Sequence, residues 1–170
     1  MMEYNCNNRD ERFASIALDE ADKSTMLHNH GCVAVIGGRI MAKGFNSDRC
    51  YSSDGFLNNT CSCHAEIDVI RQLDKILKKK NHDTNEYSLY EKVSLYVVRK
   101  NHNWEEKGES EYKDSAPCAR CTHYMKKLKI KYIIYSNDKG TLTKCKVKDY
   151  NTQHVSQGNR YLNYRMNAIY

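Results

Sequence analysis

Residues 131–147 read KYIIYSNDKGTLTKCKV. Lys131 to Ser136 is an apolar run of strand character, and Thr141 to Val147 again has an extended pattern. Between them, Asn137-Asp138-Lys139-Gly140 carries the residues of a tight turn. A parallel neighbour needs a crossover of about a dozen residues or more. A connection this short therefore allows only an antiparallel pair, and the last two strands are expected to form a hairpin.

Upstream, the chain alternates helix and strand patterns. Residues 9–27 read as a first helix, with Phe13, Ile16, Ala17 and Ala21 near helical spacing. Gly31 to Ile36 and Arg39 to Phe45 flank Gly37-Gly38, a hairpin signal. Residues 46–60 form a polar loop. From His64 to about Lys79, Ile67, Ile70, Leu73 and Leu77 make one apolar stripe of a helix. Lys92 to Arg99 is a strand in which Val93, Leu95 and Val97 alternate. Residues 100–116 are a polar insertion. A helix follows Pro117, with Cys121, Met125 and Leu128 on one face, and a tail helix at Asn159–Ile169 carries Leu162, Met166 and Ile169. The order α-β-β-α-β-α-β-β-α predicts an α/β fold of three layers, α/β/α, on a five-stranded mixed sheet. We expect one domain over residues 1–170, with its core at about 9–150 and a helical tail at 151–170.

With 170 residues and 19.8 kDa, the chain can bury one core and scarcely two. No apolar run approaches about 18 residues, so no spanning helix and no membrane partner are expected. Met1 to Arg12 lacks a basic-then-apolar layout, so a cytoplasmic location is expected, the host cytoplasm for a viral protein. Lys, Asn, Tyr and Ile are abundant while Pro occurs once. That skew reads as the base composition of an AT-rich microbe or a large DNA virus. It also accounts for much of the +6 net charge, which is scattered and not striped. Lys78-Lys79-Lys80 falls at a helix C-terminus and complements the helix dipole without a partner. Eight cysteines in a reducing compartment point to metal before disulfides.

Two motifs carry chemistry: His64-Ala65-Glu66 and Pro117-Cys118-Ala119-Arg120-Cys121, each opening a helix. A spacing of three places Cys118 and Cys121 on one face of a first turn. The positive helix end favours their thiolate forms, the metal-binding state. His64 is the natural third ligand. Two thiolates and an imidazole leave a tetrahedral set one donor short, the mark of a catalytic zinc and not a structural one. Glu66 stands two positions from His64, and such residues do not share a helix face. Its carboxylate is better placed beside the ligand set, handling the protons of a reacting water. Alone, the Cys pair also reads as a structural zinc half-site or a redox pair. The combination H-x-E followed by P-C-x-x-C is the signature of zinc nucleobase deaminases.

On these residues the chain resembles the cytidine and deoxycytidylate deaminase superfamily, from about Gly31 to Ser136. Cys32 to Ile40 is similar to the family's first hairpin, and Gly44-Phe45-Asn46 to its second-strand end. The resemblance implies a Zn2+ cofactor on His64, Cys118 and Cys121, with Glu66 as the catalytic proton carrier. It implies substrate contacts from the Asn46 side chain, the Ala65 amide and the Ala116 carbonyl. The implied reaction is hydrolytic deamination of a cytosine nucleoside or nucleotide, with a small molecule as partner and a homo-oligomer, dimer or tetramer, as the assembly. Three other readings stay open: a polynucleotide deaminase acting on cytosine in single strands or adenosine in transfer RNA, a deaminase of a pterin or riboflavin precursor, and a silent zinc scaffold. Histidine as first ligand is the habit of deoxycytidylate and polynucleotide deaminases, whereas an antiparallel last strand pair is that of free-nucleoside deaminases. Residues 80–91 and 100–116 lengthen the stretch between the two motifs.

Other residues carry weaker expectations. Trp104 reads as a loop anchor before a base-stacking ring. Cys61 and Cys63, with Cys50 or His102, read as inert thiols before a second metal site. His28 and His30 read as surface residues or caps, and Arg49, Lys100 and Arg120 are open either to a phosphate or to solvent. Glu105, Glu106, Glu109 and Glu111, in a loop expected near the pocket, argue against a nucleic-acid groove.

Overall fold

A computed structural model describes residues 3–80 and 87–167 of the chain. Ile169 of the tail helix lies outside the described residues. The order is β1 (Glu3–Tyr4), α1 (Asn8–Ala21), β2 (His30–Ile36), β3 (Arg39–Phe45), α2 (Ala65–Lys80), α3 (Tyr87–Tyr90), β4 (Val93–Lys100), α4 (Trp104–Lys107), β5 (Tyr112–Lys113), α5 (Ala119–Lys127), β6 (Tyr132–Ser136), β7 (Leu142–Lys146), a 3-10 turn (Val147–Asp149) and α6 (Gln157–Asn167).

The strands form one mixed sheet in the order β1-β7-β6-β4-β2-β3, with β5 beside β4. Only β4 and β6 run parallel; the other pairs are antiparallel. β6 and β7 make the expected hairpin, with Ile134 opposite Lys144. The sheet has seven strands, not the five expected. The additions, β1 and β5, are two residues each, too short to leave an alternating pattern. Gly37 and Gly38 both have positive φ, 56° and 82°, which suits the tight turn between twisted antiparallel strands.

Alternation along the strands sorts the core into two faces. Cys32, Ala34, Leu95, Val97 and Ile133 meet Ile67, Ile70, Leu73 and Leu77 of α2 and Cys121 and Met125 of α5. Val33, Val35, Tyr96, Val98 and Ile134 meet Phe13, Ala14, Ala17 and Leu18 of α1. Helices therefore cover both faces, giving the three layers. Asp10, buried in α1, completes a capping box with Asn7 and also ties the layers. It accepts from the Tyr96 hydroxyl at 2.8 Å and pairs with Lys144 at 2.9 Å. No helix among the described residues is long and apolar enough to cross a membrane.

α1 lies so close to β2 that only glycine fits at residue 31. A Cβ there would stand 1.8 Å from the Ala17 carbonyl oxygen and 2.6 Å from the Ala21 nitrogen, both backbone atoms. Gly31→Ala is expected to cost about 3 kcal/mol, at the upper end of overpacking effects. A urea unfolding midpoint equal to that of the wild type would contradict it.

α1 ends at Ala21, short of the expected residue 27. The following chain bonds elsewhere: the Ser24 hydroxyl donates to the Asn46 carbonyl at 2.8 Å, and the Met26 N–H donates to the Ser24 hydroxyl. Residues 22–29 thus turn across the sheet end where β2 begins. The last segment crosses the same end. The Tyr150 hydroxyl donates to the Pro117 carbonyl, and Ala119 N–H to the His154 carbonyl at 2.8 Å, laying residues 150–156 over the start of α5.

Candidate active site

The starts of α2 and α5 meet. His64 precedes α2, and its carbonyl accepts the Asp68 N–H at 3.0 Å, the first bond of the helix. Cys63, one residue earlier, is fixed by a bridge to Ser47 after β3. Cys118 is the N-cap of α5, with extended φ and ψ of −73° and 166°, and its carbonyl accepts the Thr122 N–H at 2.9 Å. Cys121 follows one turn in. The His64 Nδ1 lies 3.5 Å from the Cys118 Sγ and 3.3 Å from the Cys121 Sγ.

These three residues form the one group of potential metal ligands found among the described residues. Zinc bonds of the usual length to nitrogen and sulfur give a tetrahedral edge of ~3.6 Å. The observed separations lie close to it, so His64, Cys118 and Cys121 could hold a zinc ion without rearrangement. The Cys118 thiol is pulled down to about 3, first by its hydrogen bond with the Cys121 thiol and then by His64. Cys121 moves the other way, pushed up by Cys118 and by burial. Burial, the largest single influence, opposes charging of His64, but its hydrogen bond with Cys118 and the charges of Glu66 and Cys118 together raise its pKa.

Glu66, 5% exposed, sits beside the trio. Burial raises its pKa above the usual carboxylate value, against the pull of His64. It and His64, Ala65 and Cys118 line a cavity of about 450 Å³. Asn46 and Ala116 line it too, so all three residues expected at the substrate do. The Asn46 amide is partly engaged. Its oxygen accepts the His30 N–H and its nitrogen donates to the His28 carbonyl, each at 2.8 Å. One N–H and one lone pair remain. Ala65 is the first residue of α2, where backbone N–H groups lack partners within the helix. Ala116 N–H donates to the Asp114 carboxylate at 3.2 Å.

His30 is not a surface residue. It lines the cavity, and its Nδ1 lies 3.1 Å from the His28 carbonyl. Burial pulls its pKa down to about 4, so the ring is neutral near pH 7. His28 is exposed, as expected, but stands on the cavity rim. Lys100 pairs with Asp22, and Arg120 donates to the Phe56 carbonyl at 3.3 Å. Neither these two nor Arg49 line the cavity; Arg99 and Arg160 do. Trp104 opens α4, half-buried and away from the cavity, consistent with a loop anchor. The acidic stretch is also away from it. Glu109 pairs with Lys113 at 2.6 Å, and none of the four glutamates lines the cavity. Among the described residues, Cys50, Cys61, Cys63 and His102 form no second metal group. Cys50 and Cys61 are exposed, Cys63 is buried with its thiol pushed up to about 12, and the His102 ring bonds to Asn29.

The sequence reading missed His30, Arg99, Asp114, Ser156 and Arg160 as lining residues. Strand parity carried a signal for two of them. His30 shares a face with Cys32 and Ala34, and Arg99 with Leu95 and Val97, the face that α2 and α5 cover.

The family model for the cytidine and deoxycytidylate deaminase zinc-binding region matches residues 7–137. No curated protein matches the chain. Among solved structures the chain is similar to a cytidine deaminase from Burkholderia pseudomallei, at 16% identity over 82% of this chain and 93% of that one, with a TM-score of 0.52. It is also similar to the dCMP deaminase of the cyanophage S-TIM5, solved with dCMP and dUMP, at 17% identity over 79% and 85%, with a TM-score of 0.48. At 16% identity the likeness to the cytidine deaminase is one of fold. The zinc-binding match spans most of the chain and falls on the His64, Cys118 and Cys121 cluster, and the chain belongs to the cytidine and deoxycytidylate deaminase family.

Proposed function

We propose that the protein catalyses the zinc-dependent hydrolytic deamination of a cytosine nucleoside or nucleotide to its uracil form, releasing ammonia. The observation that carries this reading is the three-donor cluster at the wall of a 450 Å³ cavity with the Glu66 carboxylate buried beside it.

A zinc ion on these donors supplies the Lewis acidity that makes a water nucleophilic near pH 7. The chain's own groups do the rest. Glu66 takes a proton from the attacking water and delivers it to ring N3 as the oxygen bonds to C4. It then moves the remaining proton of that oxygen to the exocyclic nitrogen, the C4–N bond breaks, and ammonia leaves behind a C4 carbonyl. Its raised pKa suits a group that must hold a proton between two transfers. The Ala65 amide is assigned to the base, the Ala116 carbonyl to the leaving amine, and the free valences of Asn46 to a sugar hydroxyl. A dimer or tetramer belongs to the same proposal; it rests on the family, and sedimentation velocity tests it.

The deciding assay offers zinc-loaded protein cytidine, deoxycytidine, dCMP, dCTP and a cytosine-containing oligonucleotide. Ammonia and an equal amount of uracil product are expected from at least one of the four small molecules. Release from the oligonucleotide alone would overturn the substrate class, and release from none would overturn the reaction.

A further inference from the structure

We propose that the substrate carries a phosphate, held at the cavity rim by Arg99 of β4, Arg160 of α6 and the hydroxyl of Ser156. This rests on the deaminase reading above and narrows it from nucleoside or nucleotide to nucleotide.

Three observations meet at one place. All three residues line the cavity that holds the donor cluster. Neither guanidinium has a carboxylate partner among the described residues. Arg99 donates from Nη2 to the Nδ1 of His28 at 3.0 Å, and Arg160 from Nε to the Val155 carbonyl at 2.9 Å. Both acceptors are neutral, so both charges stay uncompensated, and each fork keeps N–H groups to spare. The Ser156 hydroxyl is buried and, among the described residues, the one buried side-chain polar atom without a hydrogen-bond partner. Such a group is costly unless something else completes it.

A phosphate answers all three needs. It is a dianion with several acceptor oxygens, which forked guanidiniums meet bidentately and a hydroxyl can donate to. A neutral sugar hydroxyl compensates neither charge. Ser156 directly precedes Gln157, so the unpaired N–H groups that open the eleven-residue α6 add to the same positive corner. The cavity carboxylates do not cancel it. Among the described residues neither Glu66 nor Asp114, the two carboxylates that line the cavity, forms an ion pair with Arg99 or Arg160. The base end of the substrate would lie by His64, Cys118 and Cys121, and the phosphate at the opening bounded by β4 and α6.

Calorimetric titration of zinc-loaded protein with UMP and dUMP, against uridine and deoxyuridine, reads the proposal without turnover. The matching nucleotide is expected to bind at least about tenfold more tightly than its nucleoside, the size of a charge-assisted contact. Arg99→Gln and Arg160→Gln should each bring that ratio toward one, Arg99→Lys should retain part of it, and Ser156→Ala should lower it less. Circular dichroism confirms the fold of each variant. Equal affinity for nucleotide and nucleoside overturns the phosphate corner, as do variants that weaken both alike. In the parallel ammonia assay, deoxycytidine or cytidine used as well as its monophosphate overturns the phosphate corner and leaves deamination standing. No turnover of any cytosine compound removes the reading beneath it.

Discussion

Glu66→Gln is expected to lower kcat about 10³-fold while zinc content stays at that of the wild type. Removing a positioned general acid–base typically costs 10²–10⁴-fold. The value expected for Glu66 is the middle of that range. The substitution keeps shape and hydrogen-bonding reach at a position only 5% exposed, so packing is preserved, but an amide cannot accept and return a proton. Two other titratable groups of the cavity are already engaged. His30 is held neutral with its Nδ1 facing the His28 carbonyl, and one oxygen of Asp114 is engaged by the Ala116 N–H. Steady-state ammonia release, read beside zinc by mass spectrometry, checks it. A variant with full zinc and kcat within about tenfold of wild type would remove Glu66 from the reaction.

Cys118→Ala is expected to abolish both metal binding and turnover. The donor group holds three residues, so the variant keeps only His64 and Cys121, and no fourth donor joins the group among the described residues. Cys118 is also the sulfur whose thiolate form the surroundings favour most. The variant should also melt earlier in the presence of zinc. At free zinc 100-fold above its dissociation constant, binding to the folded chain alone contributes about 2.7 kcal/mol. The small side-chain void left at a 4%-exposed site adds to that loss. Comparing wild type and variant with and without chelator separates the two contributions. Stoichiometric zinc in dialysed Cys118→Ala would show that these residues are not the metal's seat.

Much of this architecture is legible in local patterns. The stripe Ile67, Ile70, Leu73 and Leu77 sits in the core of the α2 layer, as its spacing requires. Asn137 to Gly140 turns as those residues must, Gly140 with a φ of 72°, and thereby makes β6 and β7 antiparallel. The zinc donors are legible for a similar reason: each motif sits at a helix start, so spacing alone nearly sets their geometry. What escapes is whatever depends on partners distant in the chain. The apolar spacing carries α1 six residues past its end because Ser24 is claimed by Asn46, which no local pattern reveals. β1 and β5 exist only through their neighbours on β7 and β4. Ser156 and Arg160 reach the cavity because Tyr150 and His154 bond to Pro117 and Ala119. His30 and Arg99 were within reach, since both continue a buried strand face past its apolar end.

The cavity is made of two unlike materials. Ala65, Glu66 and Cys118 are buried at the starts of two core helices, where a change of side-chain size disturbs packing. Leu27, His28, His154 and Arg160 are exposed and belong to connecting segments or the final helix. The reactive groups and part of the contacts proposed for the substrate thus lie in separable parts of the chain. A library confined to residues 26–28 and 154–160 could redirect which molecule is accepted while inheriting the chemistry intact, which makes this scaffold a natural starting point for evolving new deaminases.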